Sequence, residues 1–114
     1  MKAAITRIID KLSEGNIGCA SMLCSILKEV GPLEFFLVAD ALETNGIRGD
    51  RAYMLWNDAC GRNTRETVKL IMEISRGIIP MATVNAHLAE GRCAPFTDAD
   101  RHLDRVVFRK GERA

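Results

Sequence analysis

Apolar residues recur along this chain at the spacing of three and four that gives a helix one buried face. The first such segment carries Ile5, Ile8, Ile9 and Leu12. Glycines interrupt the pattern at short intervals, as they do where helices end. No stretch sustains the alternation of apolar and polar positions that is typical of a half-buried strand. The pattern therefore predicts an all-α protein.

Cap residues define the first boundaries. Gly15 ends the first helix, and the side chain of Asn16 is expected to cap a second. Gly31 ends that helix, and Pro32 suits the first turn of a third, because the N–H that proline lacks would have no partner there. The second helix is apolar on nearly all sides, so we expect it to lie at the centre of the fold.

The later boundaries follow the same rules. Asp50 is expected to cap a fourth helix from Arg51 to Cys60, and Asn63 or Thr64 a fifth. Pro80 begins a sixth, and a last helical segment is expected from Asp98 to Phe108. The chain is thus predicted to form a compact bundle of six or seven short helices.

The length of 114 residues suits one domain. The predicted linkers are too short to separate a second domain. We assign residues 1–108 to a single helical domain and residues 109–114 to a flexible C-terminal tail.

Charge and composition narrow the range of partners. Sixteen basic and fifteen acidic residues give a net charge of +1, so nothing requires nucleic acid or an anionic membrane. The N-terminus mixes charged and apolar residues, unlike a signal peptide, and no apolar run approaches the length of a membrane span. We expect a cytoplasmic protein.

Cysteine and histidine spacing argues against a metal site or other cofactor. The chain has four cysteines and two histidines, and no two cysteines have the C-x-x-C spacing of zinc ligands. Free buried thiols are the better interpretation. No catalytic arrangement can be assembled from neighbouring residues, although a triad need not be local in sequence. We therefore expect a protein that is not an enzyme.

The segment from Ile47 to Gly61 holds the only tryptophan and the only tyrosine. On a helix, Trp56 would face the core, with Tyr53 and Asn57 on an adjacent stripe. One interpretation is that Trp56 only anchors the bundle. The other is that Tyr53, Asn57 and nearby arginines face a pocket or a partner.

The start of the predicted fourth helix is a candidate anion site. Arg48 and Arg51 flank free backbone N–H groups and could close on a phosphate, unless the Asp50 carboxylate occupies that position as a cap. Arginine and aromatic side chains dominate binding hot spots. The candidate ligand- or partner-binding residues are therefore Arg48, Arg51, Tyr53, Trp56, Asn57 and Asp58.

Two blocks of this sequence resemble small bacteriophage and prophage proteins. The first is GNIGC at residues 15–19, and the second is IRG at 47–49 followed by YMLWNDAC at 53–60. In those proteins a G-N-x-G-A-like turn precedes an apolar helix, and an I-x-G block leads into an aromatic helix ending in D-x-C. The likeness covers about Gly15 to Leu88, with Cys19 in place of the alanine. It implies a location in the host cytoplasm and an accessory role, such as interference with host defence or host metabolism, or phage regulation.

Two functions then compete. The favoured one is a non-catalytic binder that occupies a host protein or sequesters a small anionic, nucleotide-like signal, in a pocket built across a homo-oligomer interface. The alternative is a nucleic-acid-binding regulator whose helix-turn-helix is centred on Gly61. Its recognition helix would carry Thr64, Arg65, Lys69 and Arg76, diluted by Glu66 and Glu73.

Overall fold

The computed structural model describes residues 1–89. All regular secondary structure in this part of the chain is helical, without a strand, which confirms the all-α prediction. The elements are α1 (Lys2–Ser13), α2 (Ile17–Thr44), α3 (Gly49–Met54), a π-helical turn (Leu55–Ala59), α4 (Thr64–Ser75) and α5 (Met81–Ala89). The predicted segment from Asp98 to Phe108 and the predicted tail lie outside the described residues.

The described residues form five α-helices, so the predicted count of six or seven is slightly wrong. The main reason is that α2 counts as a single 28-residue segment, although it consists of two helices that meet at a kink. The kink lies at Gly31, where the sequence predicted a boundary, with φ 82° and ψ 172°, and Pro32 follows it. Glycine reaches this positive φ without steric cost, so the predicted boundary is present as a kink without an intervening loop.

The predicted fourth helix also needs correction. It begins at Gly49, two residues before the predicted start, and Arg48 occupies the cap position without a side-chain cap hydrogen bond. Asp50 is not the cap, since its Oδ1 accepts a hydrogen bond from Asn16 Nδ2 at 2.6 Å. From Leu55 onward the helix widens into the π-helical turn. The backbone N–H of Cys60 closes this turn by donating to Leu55 O at 3.1 Å.

Two predicted caps are confirmed. Asn16 Oδ1 accepts the backbone N–H of Cys19 at 2.8 Å at the start of α2. Asn63 Oδ1 accepts the backbone N–H of Glu66 at 3.1 Å at the start of α4. Each bond satisfies one of the N–H groups that a helix start leaves unpaired.

Helix α2 is the centre of the fold, as its apolar composition predicted, and packs against α1, α3 and α4. The core is built from side chains that these helices bury completely, among them Leu12, Leu23, Ile26, Phe35, Leu42, Leu55 and Leu70. None of the helices in residues 1–89 is long and apolar enough to cross a membrane.

Candidate functional site

The structure divides the six predicted site residues into two groups. Four of them gather around an arginine that the prediction did not include, Arg62. We call this group the Arg62 cluster, and it consists of Tyr53, Trp56, Asn57, Asp58 and Arg62. Arg48 and Arg51 form contacts elsewhere.

The π-helical turn and the residues before it present the cluster. Ala52, Leu55 and Ala59 are completely buried and fix this segment against the core. Trp56 lies on the same face and keeps 7% of its surface exposed, while Tyr53 and Asn57 are half-buried. The predicted division into a core face and an adjacent stripe is thus present. Isolated π-helical turns occur frequently at functional sites.

The backbone after the turn reverses and places Arg62 beside the aromatic rings. Gly61 and Arg62 both adopt left-handed conformations, with φ 55° and 62°. The Arg62 N–H donates to Trp56 O at 2.8 Å, a bond of the kind that closes a helix C-terminus. A left-handed conformation costs a residue with a Cβ about 1–2 kcal/mol, so the fold holds Arg62 in an unfavourable backbone conformation.

The guanidinium of Arg62 is fixed from three sides. Its Cζ lies 5.1 Å from the centroid of the Trp56 ring and 6.0 Å from that of Tyr53. Its Nε donates to Asn57 Oδ1 at 2.9 Å, and its Nη2 donates to the Tyr53 hydroxyl at 3.2 Å. The two rings meet edge to face, with centroids 6.4 Å apart. The cation–π contacts and hydrogen bonds together restrict a side chain that is otherwise exposed.

The cluster carries both signs of charge. Asn57 Nδ2 donates to Asp58 Oδ1 at 2.8 Å, so this amide joins the Arg62 guanidinium to the Asp58 carboxylate. A guanidinium has five N–H donors, and the two bonds from Arg62 leave others for a ligand. The indole Nε1 of Trp56 is buried and has no hydrogen-bond partner among the described residues, which is uncommon for a buried donor.

The predicted anion site at the start of α3 does not assemble. Arg48 pairs with Glu14 at 3.4 Å, and Arg51 Nη2 donates to Asn85 Oδ1 on α5. Asp50 is bonded to Asn16. Each arginine therefore joins α3 to a different neighbouring helix, and the structure does not bring the two guanidinium groups together.

The two blocks that carry the phage resemblance meet in space. A Cβ on Gly18 would lie 2.2 Å from Tyr53 Cδ1, so the Tyr53 ring packs directly on the α2 backbone. Cys19 Sγ donates to Leu12 O at 3.6 Å and also has a hydrogen bond with the Gly49 backbone. Burial raises the pKa of the Cys19 thiol to about 11, although the Gly49 bond acts in the opposite direction.

Cys19 is therefore more than a larger substitute for alanine. As a neutral thiol it joins the end of α1 to the start of α3. We call the set that connects α1, α2 and α3 the helix joint; it consists of Asn16, Gly18, Cys19, Gly49 and Asp50.

Arg62 is the site residue that the sequence prediction missed. Helical periodicity places side chains within a helix, and Arg62 lies in the short connection between two helices. The available indication was its position directly after Gly61, a residue expected to reverse the chain. That indication says the chain turns there, but not which way the following side chain points.

Comparison with protein-family models, curated proteins and solved structures gives no match for this chain. The resemblance to phage proteins therefore stays a prediction. Within residues 1–89, no three His, Cys, Asp or Glu side chains gather closely enough to bind a metal ion.

Proposed function

We propose that this chain is a phage-type accessory protein that acts by binding, without catalysis, and that the Arg62 cluster is its recognition surface. Its role would be to counteract host defence, either by occupying a host protein or by sequestering a nucleotide-like signal. The observation that carries the proposal is an exposed arginine held against Trp56 by hydrogen bonds to Tyr53 and Asn57.

This arrangement suits recognition because it lowers the cost of binding. Ordering a long, rotamer-rich side chain on association costs about 0.5–1.5 kcal/mol. Arg62 is already positioned in the free chain by the contacts to Tyr53, Trp56 and Asn57. Arginine and aromatic residues are also the types most enriched among binding hot spots.

The charges of the cluster define the group it would bind. The N–H donors of Arg62 suit a carboxylate or a phosphate, which a guanidinium binds through two parallel hydrogen bonds. Asp58 lies close by and would accept a hydrogen bond from the same partner. A partner that offers an acidic group beside a donor fits this pair, whereas a simple inorganic anion would be repelled by Asp58.

The nucleic-acid alternative receives less support from the described residues. Arg65, at the start of the predicted recognition helix, is paired with Glu29 on α2. Arg76, at the other end of α4, lies beside an apolar groove. A gel shift that weakens steeply with salt would favour the alternative, because phosphate contacts release counterions.

The first experiment is native mass spectrometry of the full chain, purified gently from a bacterial host. A bound small molecule appears as extra mass that is lost on denaturation and identifies a sequestered signal. If the chain carries no ligand, a pull-down from host lysate tests for a protein partner. Isothermal titration with nucleoside mono- and diphosphates then tests the nucleotide-like class directly.

Variants locate the binding surface. Arg62→Ala should weaken the identified interaction at least tenfold, about 1.4 kcal/mol, and Tyr53→Phe should weaken it less because the ring remains. Arg7→Ala is the matched control, since Arg7 is an exposed arginine on α1, away from the Arg62 cluster, and its Nε donates to the local Ala3 carbonyl. Equal binding by Arg62→Ala and Arg7→Ala would show that the Arg62 cluster is not the site.

A further inference from the structure

A second surface, away from the Arg62 cluster, lies between the later half of α2 and α4. It is an apolar groove of about 180 Å³. Glu34, Leu37 and Val38 line it from α2, and Val68, Met72 and Arg76 line it from the side of α4. An apolar cavity of about 150 Å³ suffices for a benzene ring, so the groove has room for an aliphatic side chain.

The rim of the groove exposes large apolar side chains. Leu37 is 61% exposed, and Leu33, one helical turn earlier on α2, is 76% exposed. Residues four apart share one face of a helix, so the two leucines form a ridge beside the groove. An apolar ridge next to an apolar groove is a typical docking surface.

The charges at the groove are complementary to each other. Glu34 and Arg76 both line it, and neither has an ion-pair partner within residues 1–89. A two-fold axis midway between them would place each Glu34 carboxylate against the Arg76 guanidinium of a second copy. The same rotation carries each copy's leucine ridge onto the surface of the other.

We infer that this groove is the interface of a two-fold symmetric homodimer of this chain. The occupant is a second copy because one two-fold rotation about the groove pairs each Glu34 carboxylate with an Arg76 guanidinium and also covers the exposed leucine ridge of each copy. Symmetric dimers are built from such self-complementary patches. The inference does not depend on the Arg62 cluster.

Sedimentation equilibrium of the full chain tests this inference. The wild type should show a concentration-dependent dimer, and Leu37→Glu should raise the dimer dissociation constant at least tenfold, since each dimer then carries the new carboxylate twice. Ile17→Glu is the matched control: Ile17 is also an exposed apolar residue of α2, at 83% exposure, but it does not line the groove. It should dimerise like the wild type.

A charge exchange tests the symmetry itself. Glu34→Arg and Arg76→Glu should each weaken their own homodimer, because like charges would then face each other twice. Mixed in equal amounts, the two variants should form a heterodimer, since both contacts become attractive, and native mass spectrometry resolves it by mass. A monomeric wild type at all concentrations, or a Leu37→Glu variant that dimerises like the wild type, would overturn the inference.

Discussion

The two sides of Tyr53 differ in how the chain satisfies its polar groups. On one side is the helix joint, where Asn16 caps α2 and bonds Asp50, and where the Cys19 thiol bonds to two backbone segments. On the other side is the Arg62 cluster, with an exposed guanidinium and a buried indole N–H that has no partner within residues 1–89.

This difference shows that an unusual sequence is not by itself a binding site. The residues of the helix joint are distinctive because three helices meet there, and their hydrogen bonds account for their identities. In the Arg62 cluster the guanidinium is exposed and keeps N–H donors that its hydrogen bonds to Asn57 and Tyr53 do not use, and Arg62 has a left-handed backbone conformation. Strained backbone of this kind is concentrated at functional sites.

The largest expected loss of stability comes from Gly18→Ala, because Gly18 in the helix joint packs against Tyr53 in the Arg62 cluster. The new Cβ would lie 2.2 Å from Tyr53 Cδ1 and 3.0 Å from Tyr53 Cγ, so the whole ring must move. Overpacking of this kind costs about 1–3 kcal/mol, and urea unfolding measures it. The displaced ring would also take its hydroxyl away from Arg62 Nη2.

Tyr53→Ala supplies the test of this mechanism. The variant removes the ring that the new Cβ would meet, so Gly18→Ala should cost much less in that background than in the wild type. Contacting residues show such non-additivity in double-mutant cycles. Additive losses would mean that Gly18→Ala acts through the backbone of α2 and not through Tyr53.

A second prediction concerns the helix joint alone and depends on pH. The pKa of Cys19 rises from 9.0 to about 11 on folding. Below pH 9 the thiol is protonated in both states, and its contribution to stability is complete. Between pH 9 and 11 the unfolded chain releases the proton while the folded chain retains it, so the free energy of unfolding falls by about 2 kcal/mol as pH rises.

Cys19→Ala isolates this contribution from the other groups that titrate at high pH. Urea unfolding of both proteins at pH 8, 9, 10 and 11 should show that the wild type loses more stability than the variant across this range. If the two proteins lost stability in parallel as pH rises, the pKa of the Cys19 thiol would not be raised on folding. The exposed Cys24 offers the matched control, since Cys24→Ala should leave the pH dependence of the wild type unchanged.

The fold was largely predictable because its determinants are local. Apolar spacing identified the helices, and Asn16 and Asn63 marked two starts that the structure confirms. The interruption at Gly31 was predicted from the glycine and the proline that follows it, but the π-helical turn from Leu55 was not. A helical pattern of apolar residues does not show whether a backbone N–H bonds to the fourth or to the fifth residue before it.

The candidate site was predictable only in part, because it depends on contacts between distant residues. Periodicity placed Trp56 and Tyr53 on neighbouring faces, as observed. It did not show that Arg48 pairs with Glu14, 34 positions earlier in the chain, or that Arg51 reaches Asn85 on α5. The left-handed conformation of Arg62 is likewise outside any helical pattern.

The smallest expected change in stability is the most informative about the Arg62 cluster. Arg62→Gly removes the cation–π contact, worth about 0.5–1 kcal/mol at an exposed site, and two solvent-exposed hydrogen bonds to Asn57 and Tyr53, but it also removes the left-handed strain of about 1–2 kcal/mol. The two effects largely cancel, so the free energy of unfolding should stay within about 1 kcal/mol of the wild type. Arg62→Ala keeps the strain and should be less stable than Arg62→Gly.

The two variants should differ in stability but not in binding. Both lack the guanidinium, so both should lose the interaction to the same extent. Urea unfolding and titration of the same three proteins therefore separate the two roles of this residue. Unchanged stability together with lost binding in Arg62→Gly would assign the side chain of Arg62 to recognition. A loss of more than about 2 kcal/mol in Arg62→Gly would instead assign Arg62 to the fold, because it exceeds what the cation–π contact alone supplies.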